Sequence, residues 1–154
     1  MRRREVLAGA LAVPAALGIG FGGTLAWAAE PPLLLYNGNM PRAMRAAKFA
    51  IAGGTLARET GGEIAALLLR ERLLAGERPV LGITGHSEYL LAADIARMAG
   101  RRAVPLMQLG RQDRWLGDAA QEQWRPLLAA ITGAKGEGSP ETAFAWLALP
   151  ARNS

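Results

Sequence analysis

Apolar and polar positions divide this chain into a long uncharged opening and a longer part in which short aliphatic runs alternate with stretches of helical spacing. Residues 33–36 (Leu-Leu-Leu-Tyr) read as a strand, and Asn37-Gly38-Asn39 as the turn that follows it. Pro41 suits a first helical turn. Met44, Ala47, Lys48 and Ile51 continue at helical spacing until Gly53-Gly54 stops the helix. Residues 55–58 predict a weak second strand. Thr60 and Glu63 have capping-box spacing and predict a helix with Ile64, Leu67, Leu68 and Leu74 on one face, ending at Gly76. Residues 79–84 form the clearest buried strand, Ser87 is the expected cap of the next helix (Leu90, Leu91, Ile95, Met98), and residues 103–109 predict a fourth strand.

Strand and helix repeated at this spacing imply parallel pairing, because each helix carries the chain back across a sheet face in a right-handed crossover. The expected fold is a three-layer α/β domain with a mostly parallel sheet of about four to five strands, helices on both faces, and an N-terminal signal helix ahead of it. Beyond Gly110 the pattern weakens. Residues 118–131 predict a helix broken or begun near Pro126, and residues 133–140 a small-residue loop. Residues 142–149 read as a closing strand, although Ser139-Pro140-Glu141 equally suits the start of a last helix.

The opening segment carries an address. Arg3 and Arg4, followed by Val6 and Leu7, begin a run with no formal charge until Glu30. About 20 apolar residues suffice to span a bilayer, but this run contains Pro14 and several glycines and has modest aliphatic bulk. A moderately hydrophobic segment behind paired arginines is the layout of a twin-arginine export signal. Ala26 and Ala28 are small residues where a signal peptidase reads, so residues 1–28 are expected to be cleaved and residues 29–154 to form one domain in the periplasm. The alternative is an uncleaved anchor, residues 6–29, that holds the domain at the inner membrane. On either reading the export machinery is a partner, and membrane contact runs through the N-terminal segment only.

Charge and composition then narrow the classes. The chain has a net charge of +5 and no cysteine. Disulfides, thiolate metal sites and thiol nucleophiles are thereby excluded. Arg42, Arg58, Arg78, Arg97, Arg125 and Arg152 are scattered along the sequence, without the dense basic block and stacking aromatics that nucleic-acid binding needs, so no nucleic-acid partner is expected.

The signal, Leu35-Tyr36-Asn37, Gly82-Ile83-Thr84 and residues 145–150 (Ala-Trp-Leu-Ala-Leu-Pro) together resemble a group of small proteobacterial twin-arginine-signal proteins of unassigned activity. The resemblance implies an α/β fold and an export route and brings no mechanism with it. Members of that group tend to carry an acidic residue after the first strand and an aspartate after the second, where this chain has Asn37 and Thr60.

Ligands of open α/β folds bind beyond the carboxyl ends of the strands. The rim expected there collects Asn37, Asn39, Glu59, Thr60, Thr84, Ser87, Arg111 and Asp113 around His86 and Glu88. His86, the single histidine, would serve as general base, with Glu59, Glu88 or Asp113 fixing its tautomer; otherwise it is a loop residue covering a helix start. Gly85-His86-Ser87-Glu88-Tyr89 fails as a nucleophile elbow because Tyr89 stands where glycine is required. Glu63 and Glu88 place negative charge in the helix starts that would otherwise attract a phosphate. A divalent metal held by His86 with Glu59, Glu88 or Asp113 is an alternative that one histidine without a spaced partner supports only weakly, and the sequence names no cofactor. Trp115 and Trp124 either line a cleft or partner surface, or pack a C-terminal helix onto the sheet. A module that binds a small ligand or a periplasmic partner is therefore the leading expectation, with a small His86 enzyme and an anchored accessory subunit as alternatives.

Overall fold

The computed structural model describes residues 32–132 and 142–150. The signal reading, with Arg3, Arg4, Ala26, Ala28 and the 6–29 anchor, lies outside the described residues, as does the loop at 133–140. No helix among the described residues is long and apolar enough to cross a membrane.

Among the described residues six strands form one open sheet: β1 (Leu33–Tyr36), β2 (Ala57–Glu59), β3 (Val80–Thr84), β4 (Arg102–Leu109), β5 (Arg114–Trp115) and β6 (Ala143–Leu149), in the order β2-β1-β3-β6-β4-β5. The helices are α1 (Pro41–Ala52), α2 (Ile64–Arg70), α3 (His86–Met98) and α4 (Arg125–Thr132), the last preceded by a 3-10 segment at Ala119–Trp124. β1 lies parallel to both β2 and β3, whereas β6 runs antiparallel to both β3 and β4. Strands β1 to β4 therefore share one direction.

Side-chain alternation builds a core on each face. Leu34, Leu81, Ile83, Val104 and Leu147 face α1, α4 and Trp124; Leu33, Leu35, Val80 and Trp146 face α2 and α3. All five residues of β3 are buried, as a strand covered on both sides requires. α1 begins with Pro41, whose missing N–H costs nothing at a first helical position, and it turns Ala43, Ala46, Ala47 and Ala50 to the sheet. Those alanines let the helix lie close. Trp146, fully buried, lays its indole over Gly82, where a Cβ would overlap the ring, and donates from Nε1 to Thr84 Oγ1 at 2.9 Å.

The α/β class and the helices on both faces agree with the sequence reading; the sheet is larger and more mixed. The two-residue β5 is too short to leave a pattern. The strand read at 142–149 is present, but it lies inside the sheet and runs against its neighbours. Its direction follows from where α4 ends. Arg42, at the start of α1, donates from Nη2 to the Thr132 carbonyl at 3.3 Å, so α4 finishes at the carboxyl rim of the parallel strands and the chain re-enters from that side.

Three local expectations also shift. The second strand is Ala57–Glu59 in place of 55–58. The Thr60–Glu63 capping box does not form: α2 starts at Ile64 and ends at Arg70, well before Gly76, and Arg72 follows with φ 52°. The cap position of α3 is Gly85, not Ser87, because the chain is still extended there (ψ 167°) and His86 is already helical.

Candidate functional site

The loops after β1 and β3 leave the sheet in opposite directions, one to α1 on the first face and the other to α3 on the second. Between them, at the carboxyl ends, lies the switch-point crevice in which open α/β sheets bind ligands. The class defined by this fold is thus an open α/β domain, and its candidate site is the switch point between residues 37–40 and Gly85.

A single carboxylate organises that position. Glu88, in the first turn of α3 and only 6% exposed, accepts from Asn37 Nδ2 at 2.6 Å, Thr60 Oγ1 at 2.7 Å and the Gly85 N–H at 3.4 Å. The loops after β1, β2 and β3 therefore meet on one side chain. A carboxylate is favoured here because the first turn of a helix presents unpaired N–H groups and the positive end of its dipole. Asn37 Oδ1 in turn accepts from the Asn39 N–H at 2.9 Å, and Thr60 Oγ1 from the Gly62 N–H at 3.3 Å, so both partners also shape their own loops. The Glu59 carboxylate rests against Gly38, where a Cβ would collide with it.

An aromatic group flanks the crevice. The exposed His86 ring lies 4.8 Å from Phe144 and 6.2 Å from Tyr89, and Tyr89 lies near-parallel to Phe144 (16°) at 6.4 Å. Burial pushes the Tyr89 hydroxyl above the usual tyrosine range. His86 hydrogen bonds neither Glu59, Glu88 nor Asp113 among the described residues, and both Glu88 oxygens are engaged elsewhere. Ser87 is exposed beside it on the helix start.

The remaining predicted residues divide. Asn37, Asn39, Glu59, Thr60 and Glu88 do come together. Thr84 is a core residue: fully buried, it donates to the Gly85 carbonyl at 3.0 Å and accepts from Trp146. Arg111 and Asp113 sit in the β4–β5 loop, toward the other end of the rim. There Asp113 forms a two-pronged ion pair with the buried Arg42, both contacts at 2.6 Å, and also accepts from the Gly110 N–H. Hydrogen bonding to Arg42 holds the Asp113 carboxyl below the usual range. Trp124 is a core residue, and Trp115, half-buried, carries the Arg125 guanidinium 5.6 Å from its ring centroid, so these tryptophans pack the C-terminal helix.

Sequence reasoning missed Arg42 and Phe144. Arg42 falls on the buried face of α1 next to Ala43, and that placement was its available signal. No group of three or more His, Cys, Asp or Glu able to hold a metal lies among the described residues. The switch point thus places hydrogen-bonding loops beside the exposed His86 ring and the half-buried Tyr89 and Phe144 rings. No protein-family model, curated protein or solved structure matches the chain.

Proposed function

We propose that this chain is an exported periplasmic α/β module that binds a small polar ligand at the switch-point crevice and carries out no reaction on it. The observation behind the reading is the Glu88 cluster. It draws three loops together around a prebuilt position, with the His86–Phe144 pair at its edge. Such a buried, fully paired carboxylate suits a scaffold, whereas a proton carrier needs access to the atom it serves. The export half of the reading rests on Arg3, Arg4 and the uncharged run, together with the resemblance to small twin-arginine-signal proteins. Transport by that route makes the export machinery a partner, and it suits a domain without cysteine, which must fold on its core alone.

The test is the intact mass, under native conditions, of protein recovered from the periplasm. A mass corresponding to cleavage after Ala28 plus a small-molecule adduct is expected, with the adduct weakened at least about tenfold in His86→Ala and Asn39→Ala, the loss of roughly one good contact. Both positions are exposed, so these variants retain the fold. An adduct indifferent to both changes, or a protein that is always empty, sinks the ligand reading. Export unchanged by replacing Arg3 and Arg4 with lysine sinks the route, and an unprocessed N-terminus favours the anchored form.

A further inference from the structure

Arginines scattered along the sequence are gathered by the fold at the rim opposite the crevice, where β1, β3 and β4 begin and α2 and α3 end. Arg58 is paired there with Glu71, and Arg97 with Asp94. The buried Arg101 is committed to the carbonyls of Arg78, Ala148 and Leu149. This leaves the exposed Arg70, Arg72 and Arg102 and the half-buried Arg78 facing Glu77 as the remaining acid of this rim among the described residues. The same rim exposes much of the large apolar surface: Ile51 (52%), Leu56 (58%), Leu69 (58%) and Met98 (69%). Between the last turns of α2 and α3 it opens an apolar groove of about 290 Å³, bordered by Leu68, Leu69, Arg72, Leu74, Ile95 and Met98. Bulky aliphatic side chains standing among unpaired guanidinium groups form an interfacial pattern. The carbon chains enter the headgroup boundary, while the arginines stay at the phosphates.

Before the leader is removed, the point where the chain enters the domain favours the same face. The uncharged run ends at Ala29, and three residues separate it from Leu33, the first residue of β1, on this rim. Three residues reach roughly 10 Å at most. We propose that the amino rim of the sheet is a docking surface for an anionic phospholipid bilayer, so that the domain lies on the membrane with its crevice turned away from it. This goes beyond the ligand reading and does not require it. It also extends membrane contact past the N-terminal segment.

Because the chain has no cysteine, one introduced thiol reports one place. The full chain is labelled with a polarity-sensitive nitrobenzoxadiazole dye at Met98→Cys or at Asn39→Cys, on opposite rims, and mixed with phosphatidylglycerol–phosphatidylethanolamine vesicles or with phosphatidylcholine vesicles. A blue shift at position 98 on the anionic vesicles is expected, with none at position 39 and little on phosphatidylcholine. Reversing two exposed charges, Arg70→Glu with Arg102→Glu, weakens the response at least about fivefold, as does high salt. A leader that inserts while the domain merely hangs from it leaves both labels unshifted and overturns the proposal. Equal responses on neutral lipid, or at both positions, also overturn it. A shift that appears without vesicles and grows with protein concentration assigns the face to a second copy of the chain and overturns it as well.

Discussion

Replacing Glu88 with alanine removes the one acceptor shared by three loops. Hydrogen bonds to a charged group contribute about 1.5–3 kcal/mol each, and a buried donor left without a partner costs about as much. Two short bonds, from Asn37 at 2.6 Å and Thr60 at 2.7 Å, are lost together. Asn37 is half-buried and regains water in part, while Thr60, 5% exposed, does not. The loss is therefore nearer the low end of the doubled figure, about 3 kcal/mol, a large share of the roughly 5–15 kcal/mol that holds a domain together. Glu88→Gln keeps the volume and one acceptor but turns an NH2 toward a donor, and should cost about 1–2 kcal/mol. Urea unfolding followed by tryptophan fluorescence measures both, with the midpoint moving and the slope unchanged. A double-mutant cycle with Asn37→Ala isolates the pair and should give a coupling of about 1 kcal/mol or more. A Glu88→Ala protein within about 0.5 kcal/mol of the parent, the range of ordinary surface changes, would refute the claim that this carboxylate ties the loops together.

Two further perturbations probe the rest of the frame. Asp113 has its folded-state pKa lowered by Arg42, so the pair contributes stability above the ordinary aspartate range and loses it as pH falls through that range toward the folded value. Asp113→Asn should accordingly be less stable than the parent near neutrality and show a flatter acid limb in a stability-against-pH series; parallel curves would contradict this. Gly82→Ala places a methyl group inside the Trp146 ring and should cost roughly 1–3 kcal/mol or more as overpacking. Thermal unfolding reads the loss, and adding Trp146→Leu should recover part of it if the ring is the obstacle.

Local pattern made β1, α1, β3 and β4 legible, because continuous aliphatic runs and the Pro41 start depend on neighbours in sequence. The sequence also marked the carboxyl rim on which Asn37, Thr60 and Glu88 meet, since that rim follows from parallel pairing. What the residues do there was not legible. Glu88 meets partners 51 and 28 positions away, and nothing in the spacing of Thr60 and Glu63 says that the hydroxyl would leave its own helix for a carboxylate on another. Thr84 fell on the expected rim but turned inward, because the single-residue alternation of β3 places it beside Trp146. The direction of β6 depended on where α4 stops, and a tertiary contact of Arg42 marks that point.

The position of β6 governs how the sheet can be completed. The strand that comes sixth along the chain fills the gap between β3 and β4, so β2-β1-β3 on one side and β4-β5 on the other share no ladder until residues 143–149 arrive. Without that strand, any β2-β1-β3 or β4-β5 half-sheet that formed would present a bare edge at β3 or β4, a state prone to mispairing. Assembly of the full sheet must therefore finish after the other strands have been synthesised, and a chain cut short of Ala143 lacks the strand that joins its two halves.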